Sequence, residues 1–435
     1  MFNILLNKYF QVHKFPDEDK TTLIHNLMMH IGDGSMFLFA MHFVSVNMIM
    51  PVYVERIGGS AIAIGSVPVL WNMGMNLPQF FFSGIFKDKK QIKPTVVHWG
   101  FINRSMFLVI ALFSFFILGR LNHSASVMVL LLLIFMTAVS GCVGVPTWYT
   151  LFSKTTPVKL KGRLQALRQF LGSLLGMLAG SLIIIILSSI AFPENFGTLF
   201  LICYFFMMIS FGFLRRVKEP TAFMHASNDT LPIKRFIKAK SILKENKNFR
   251  NFLVSDALFL ISITVFAFYA VYGIKKFNLP TSFAGTFTII QTGSMIAANI
   301  IFGITGDKFG HKLNLLFLSF SSMASSLIAV VAGNVYVFYL VFFFIACVTT
   351  IQGISRLAFI VEICDEHERP FVISLMNTIT APTLLFGIIS GVLISISSYE
   401  TVFILNSLVA AAACLWIIFK LKEPRKLKMN EAHVK

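Results

Sequence analysis

Five ionisable side chains stand inside long apolar stretches of this sequence: Asp33, Arg104, Arg168, Asp256 and Arg356, with Glu362 at the edge of another. A charge at the centre of a bilayer costs about 2.5–3.5 kcal/mol on insertion scales, so such residues face a partner or a water-filled cavity. Two chemistries follow. Carboxylates at such positions are candidates for taking up and releasing a proton or another cation, and a change in their charge biases one conformation over another. That reading selects Asp33 and Asp256. His30 joins them because it lies three residues before Asp33, on the same helical face. The structural reading of the same residues is ion pairing, with Asp33 and Asp256 neutralising Arg104, Arg168 or Arg356 at interfaces between helices or between halves. For Arg168 there is a further structural reading, in which it extends the basic loop before it and snorkels outward.

These residues need helices to hold them. The chain has 435 residues, of which 56% are hydrophobic and 13% charged, against about 25% charged in a soluble domain. Forty-eight of them are Phe, which suits lipid-facing surfaces. Apolar runs fall at 30–54, 61–86, 96–118, 126–150, 165–191 and 196–214, then at 250–274, 283–305, 313–332, 335–361, 371–397 and 400–419. A hydrocarbon core about 30 Å thick needs roughly 20 apolar residues per helix, so the fold class is an all-α membrane protein with about 12 spans.

The formal charge of +18 would point to nucleic acid in a soluble protein. Here the charge sits between apolar runs, in alternate gaps. One side carries Lys87, Lys89, Lys90, Lys93, Lys154, Lys159, Lys161, Arg163, Lys308, Lys312 and the tail from Lys420 to Lys428; the other carries Arg56, Arg120, Lys275 and Lys276. That is the positive-inside pattern, so both termini are expected in the cytoplasm and nucleic acid is excluded as a partner. The basic segments face anionic lipid of the inner leaflet. In the centre, LPIKRFIKAKSILKENKNF places Ile233, Phe236, Ile237 and Leu243 near one face, as in an interfacial helix; a solvated tether is the alternative.

The organisation read from these features is a cytoplasmic N-terminal segment over 1–20, a six-helix bundle over 21–214, a basic linker over 215–249, a second bundle over 250–420 and a cytoplasmic tail over 421–435. Residues 1–15 lack the order of a cleaved signal and read as an amphipathic surface stretch. Five cysteines without close pairing read as packing residues. The halves repeat each other: Val217-Lys218-Glu219-Pro220 matches Leu421-Lys422-Glu423-Pro424, the region of Gly84 and Asp88 matches that of Gly303 and Asp307, and Asp33 matches Asp256. Matching landmarks in the same order point to an internal duplication.

At these residues the chain resembles the major facilitator superfamily of secondary transporters, from about residue 21 to 424. The most specific motif is Gly303-x-x-x-Asp307-Lys308-x-Gly310-His311-Lys312. Gly303 would allow close helix approach and Gly310 a tight turn. The first-half copy at Gly84 and Asp88 is degenerate, with Gln91 where the second Gly belongs. By resemblance this loop latches the two halves in one conformation. A membrane-embedded Arg in span 4 and a Gly-Pro step in span 5, common in drug/proton antiporters, are absent.

The resemblance also implies a cavity lined by spans 1, 4, 7 and 10 with contributions from 2, 5, 8 and 11. Candidates there are His42, Asn47, Trp71, Asn72, Asn76, Trp148, Tyr269, Tyr272, Gln291, Gln352 and Asn377, together with Arg104, Arg168 and Arg356. Amide and aromatic groups suit a small polar or amphipathic solute; taken singly, each is better explained by helix–helix hydrogen bonding, and it is their concentration on cavity-facing spans that points to a solute. Gly172, Gly176 and Gly180, with Gly387 and Gly391, have the spacing of close helix packing. Pro68, Pro78, Pro146 and Pro382 are expected to bend their spans.

The implied activity is secondary active transport of a small solute by alternating access, coupled to a proton or cation, with symport favoured over drug or metabolite export. No nucleotide-binding loop is present, so ATP does not drive it directly, and neither cofactor nor metal is implied. The other classes are a non-transporting sensor or scaffold, and a membrane enzyme built on Asp365-Glu366-His367-Glu368. The expected place is the plasma membrane, or the inner membrane of a Gram-negative cell, and the expected state a monomer.

Overall fold

Inside hydrocarbon each backbone N–H and C=O must be satisfied within its own segment, which turns apolar runs into helices. The computed structural model describes residues 17–82, 91–220, 232–364 and 368–425. Among these, ten helices are long and apolar enough to cross a membrane: Lys93–Arg120, His123–Thr155, Leu160–Ser189 and Glu194–Arg216 (spans 3 to 6), then Lys247–Lys276, Phe283–Phe309, His311–Val331, Val335–Ile363, Phe371–Ile396 and Tyr399–Lys420 (spans 7 to 12). Span 1 is Asp17–His42 continued, after a break at 43–48, by Ile49–Arg56; span 2 is Ala61–Phe82. The twelve apolar runs and the twelve helices correspond one to one. Span 1 starts well before its apolar run, because its first turns are polar and lie ahead of the hydrocarbon. The expected surface stretch at 1–15, and Gly84 and Asp88, lie outside the described residues.

The linker forms a helix, Pro232–Glu245. Its Ile242 and Leu243 pack on the apolar cluster around Phe249 and Phe359, so this end is docked on the second half rather than free as a tether. Of the prolines, Pro382 sits in a tight turn, Ala381–Leu385, that breaks span 11. Pro68 and Pro146 lie within helices that run on past them.

The duplication extends to individual hydrogen bonds. Asn26 exchanges two bonds with the main chain of Lys218, at 2.9 and 2.8 Å; Asn248 does the same with Lys422, at 2.9 and 2.9 Å. Glu219 accepts from the main-chain N–H groups of Ile92 and Lys93 at the start of span 3, and Glu423 accepts from that of Lys312 at the start of span 9. The two Lys-Glu-Pro segments are thus side-chain caps, satisfying helix donors that have no partner within the helix. Tyr53 bonds Ser114 at 2.7 Å, and Tyr269 bonds Ser326 at 2.7 Å. Asn122 and Asn334 cap spans 4 and 10.

The halves meet through glycines on the face opposite the basic loops. A side chain at Gly180 would strike Gly285 O and Ile289, one at Gly387 would strike Val69 and Gly65 O, and one at Gly391 would strike Ala61 and Ile62. Gly172 and Gly176 pack on Leu38 and His42 of their own half, with Thr292 also against Gly176. On the same face Lys275 pairs with Glu55 across the halves at 3.1 Å. Gly303 behaves otherwise. Nothing lies within 4 Å of a Cβ placed there, so the close approach expected of it is not made. The contrast is testable: Gly285→Ala should cost about 1–3 kcal/mol through overpacking, whereas Gly303→Ala should leave the melting temperature unchanged. Equal effects would mean that the glycine seam does not hold the halves together.

Candidate functional site

Asp33 is the centre of the buried polar network in the first half. Its helix, span 1, lies between spans 5 and 6 and brings the carboxylate under three hydrogen-bond donors and a second arginine. Arg104 Nη2 and Ser210 Oγ reach Oδ1 at 3.2 and 2.8 Å. Trp148 Nε1 donates to Oδ2 at 3.2 Å, and Arg168 Nη2 lies 3.5 Å from the same oxygen. Arg104 is further held by the carbonyls of Met207 and Gly100, at 3.0 and 3.1 Å. Arg168 stacks on Trp148, with Cζ 4.4 Å from the ring centroid, and gives Nη1 to Gln165 Oε1 at 3.1 Å. It is buried, at 7% exposure, so it does not snorkel outward as a continuation of the loop. His30 turns away from Asp33, with Nε2 2.7 Å from Thr155 Oγ1 and its ring edge-on to Phe152.

In the second half, Arg356 grips Asp256 with Nε and Nη2, at 2.6 and 2.8 Å, and reaches Asn377 Oδ1 at 3.2 Å. Two parallel bonds from guanidinium to carboxylate are the strong form of this pair. Ion pairing is therefore present for both aspartates, and each pair closes within its own half rather than across the interface. The landmark aspartates match in position but differ in partners: spans 3 and 5 in one half, span 10 in the other.

A cavity of about 220 Å³ opens beside Asp33, lined by Phe37, Asn103, Arg104, Val145, Trp148, Tyr149, Gln165, Arg168, Gln169 and Leu214 among others. It brings together four residues singled out from the sequence: Asp33, Arg104, Trp148 and Arg168. Spans 3 and 6 contribute to its wall, which the resemblance did not imply. Asn103 is held by Thr137 O and Ser140 Oγ. It and the glutamines were missed, although Gln165 and Gln169 flank Arg168 at helical spacing and Asn103 adjoins Arg104. At Asp256 and Arg356 there is a recess of only about 10 Å³, the room of about one water.

The other candidates lie elsewhere. Tyr269 is fully buried in the second-half core, with its hydroxyl on Ser326, and Tyr272 donates to Glu400 at 2.7 Å, so neither lines this cavity. The amides of Asn72 and Asn76 donate to the carbonyls of Pro68 and Asn72, one turn back. Trp71 is half-buried against the main core. His42 packs against Gly176; Asn47 is half-buried in the break of span 1, and Gln291 and Gln352 are half-buried on spans 8 and 10.

In the loop after span 8, Gly310 has φ of 90°, a conformation that favours glycine. Asp307 O accepts from Arg425, which also grips Glu362, and this hydrogen-bonded pair raises the pKa of Arg425 further. Lys308 is exposed. These contacts are all within the second half. Among the described residues no group of three His, Cys, Asp or Glu forms a metal site; Asp365, Glu366 and His367 lie outside them.

The sequence profile of the Major Facilitator Superfamily matches residues 257–434. Over these residues, in its second half, the chain is similar to that superfamily. Its fold agrees: the nucleoside transporter NupG, in a mutant form, superposes with a TM-score of 0.69 at 14% identity, over 91% of this chain and 100% of that one. A D-xylose-proton symporter gives 0.66 at 14% identity, over 93% and 98%, and a POT family transporter in complex with 5-aminolevulinic acid gives 0.65 at 11%, over 92% and 95%. No curated protein sequence matches. With ten described helices long and apolar enough to cross a membrane, the chain is a multi-pass membrane protein, and the profile and the folds it resembles are those of transporters.

Proposed function

We propose that the protein is a secondary active transporter that carries a small solute by alternating access, and that the conformation described here is the inward-facing one. The observation that carries this is its one-sidedness. Glycine seams and the Glu55–Lys275 pair close the two halves on the face poor in Lys and Arg, while the cavity beside Asp33 opens within the first half. With the basic loops in the cytoplasm, the closed face is external, in the plasma membrane. Labelling in whole cells checks the orientation: Lys275→Cys should react with an impermeant reagent from outside, and Lys240→Cys only after the membrane is opened. The reverse pattern would overturn it.

Coupling to a proton or cation goes with Asp33 and Asp256, the carboxylates held inside the membrane. Loss of charge on either would release an arginine and loosen contacts between helices, which is how ligation can shift a two-state equilibrium. A D-xylose-proton symporter among the structural neighbours supports symport. The test is exchange in proteoliposomes of a solute found by a thermal-shift screen, with uphill accumulation only under an ion gradient. A solute that stabilises the protein but is never exchanged would favour a sensor.

A further inference from the structure

We propose that the solute carries a carboxylate and that Arg168 binds it; this rests on the transport reading above. The charges of the site do not balance. In the second half one arginine meets one aspartate. In the first, among the described residues, two buried arginines share Asp33 as their one carboxylate.

The two arginines are not equivalent. Arg104 gives hydrogen bonds from all three of its nitrogens, to Met207, Gly100, Asp33 and Ser210. It is the partner that fixes Asp33. Arg168 gives one hydrogen bond, to Gln165, lies 3.5 Å from Asp33, and has a buried Nε without a partner. A guanidinium in this state inside a membrane is under-compensated, and it stands on the cavity wall.

Its surroundings suit an organic acid. Trp148 covers one face of the guanidinium, so its donors point sideways in their plane, the geometry that a carboxylate meets with two parallel bonds. Gly34 lets the guanidinium lie close: any side chain there would collide with Arg168 Nε, which is covered on that side, so a carboxylate would meet the Nη end of the group. Phe37, Val145 and Tyr149 supply an apolar wall. A volume of about 220 Å³ is below the roughly 300–1,000 Å³ of drug-sized pockets, which limits the occupant to a small acid.

The test uses the full chain in lipid nanodiscs with Trp71, Trp99 and Trp416 replaced by Phe, so that fluorescence reports Trp148 alone. Benzoate and benzamide, then butyrate and butyramide, are titrated as matched pairs of similar shape with and without charge. Spin labels on Glu55→Cys and Lys275→Cys follow the separation of the halves in the same samples. Each acid should bind saturably and at least tenfold more tightly than its amide. Arg168→Gln should abolish that preference, Arg168→Lys should keep part of it, and Gly34→Ala should weaken it by displacing the guanidinium while leaving the charge.

Equal binding of acid and amide, failure of both acids to bind the wild type, or a preference that survives Arg168→Gln would each overturn the assignment. Amides that bind equally and still shift the label distance would sink it while leaving the transport reading intact. An acid preference with the halves fixed at one separation would do the opposite.

Discussion

Asp33→Asn will destabilise the protein by about 3–5 kcal/mol, the usual cost of removing one partner from a buried ion pair. The substitution keeps the shape of the side chain and one acceptor oxygen, so Ser210 or Arg104 can still be met. What it removes is the negative charge between Arg104 and Arg168, both nearly fully buried. Two guanidinium groups then share one pocket with no counter-charge, and the Trp148 Nε1–H faces an amide instead of a carboxylate. Melting in detergent should show the loss, and the double variant Asp33→Asn with Arg104→Gln should recover part of it, since the excess charge falls again. Where the variant is stable enough to reconstitute, uphill accumulation should vanish while counterflow persists. A melting curve within about 1 kcal/mol of wild type, with accumulation intact, would remove Asp33 from both the scaffold and the mechanism.

The second large effect is expected at the matching position. Arg356→Ala leaves Asp256 buried without the two guanidinium bonds at 2.6 and 2.8 Å, and frees Asn377 from its donor. The penalty is again about 3–5 kcal/mol. Here one acid meets one base, so the exchange of Asp256→Arg with Arg356→Asp should restore more than half of the lost stability. Thermal melts of the two single variants and the swap form a cycle that isolates the pair. Additive losses in the swap would show that shape, not charge, holds this site.

Much of the fold is legible because hydrocarbon leaves the backbone few options. Apolar runs, their spacing and the alternation of Lys with neutral loops were sufficient to count the spans, and Lys218-Glu219-Pro220 with its repeat marked the duplication. Its physical meaning needed the structure, since nothing in a Lys-Glu-Pro string says which helix start the Glu caps. The charged residues of the site were equally visible, because Asp33, Arg104 and Arg168 are conspicuous among apolar neighbours. Which arginine meets which aspartate was not. Helical periodicity gives a residue's face but not its depth or the rotation of the next helix, so span 6 was overlooked as a cavity wall and span 3 was represented by Arg104 alone. Tyr269 and Tyr272 were misplaced for the same reason. Gln165 and Gln169 were hidden by a basic loop that merges into span 5 without a change in composition.

Alternating access requires the two halves to close one face as they open the other. Paired spin labels measure this directly, with one pair at Glu55→Cys and Lys275→Cys, where the halves touch, and one at Tyr149→Cys and Leu357→Cys, exposed on spans 4 and 10. Distances would be recorded in nanodiscs across pH and in the presence of the solute. The expected result is two populations for each pair, with the short distance of one rising in step with the long distance of the other. Single distances at both sites that no condition changes would contradict alternating access.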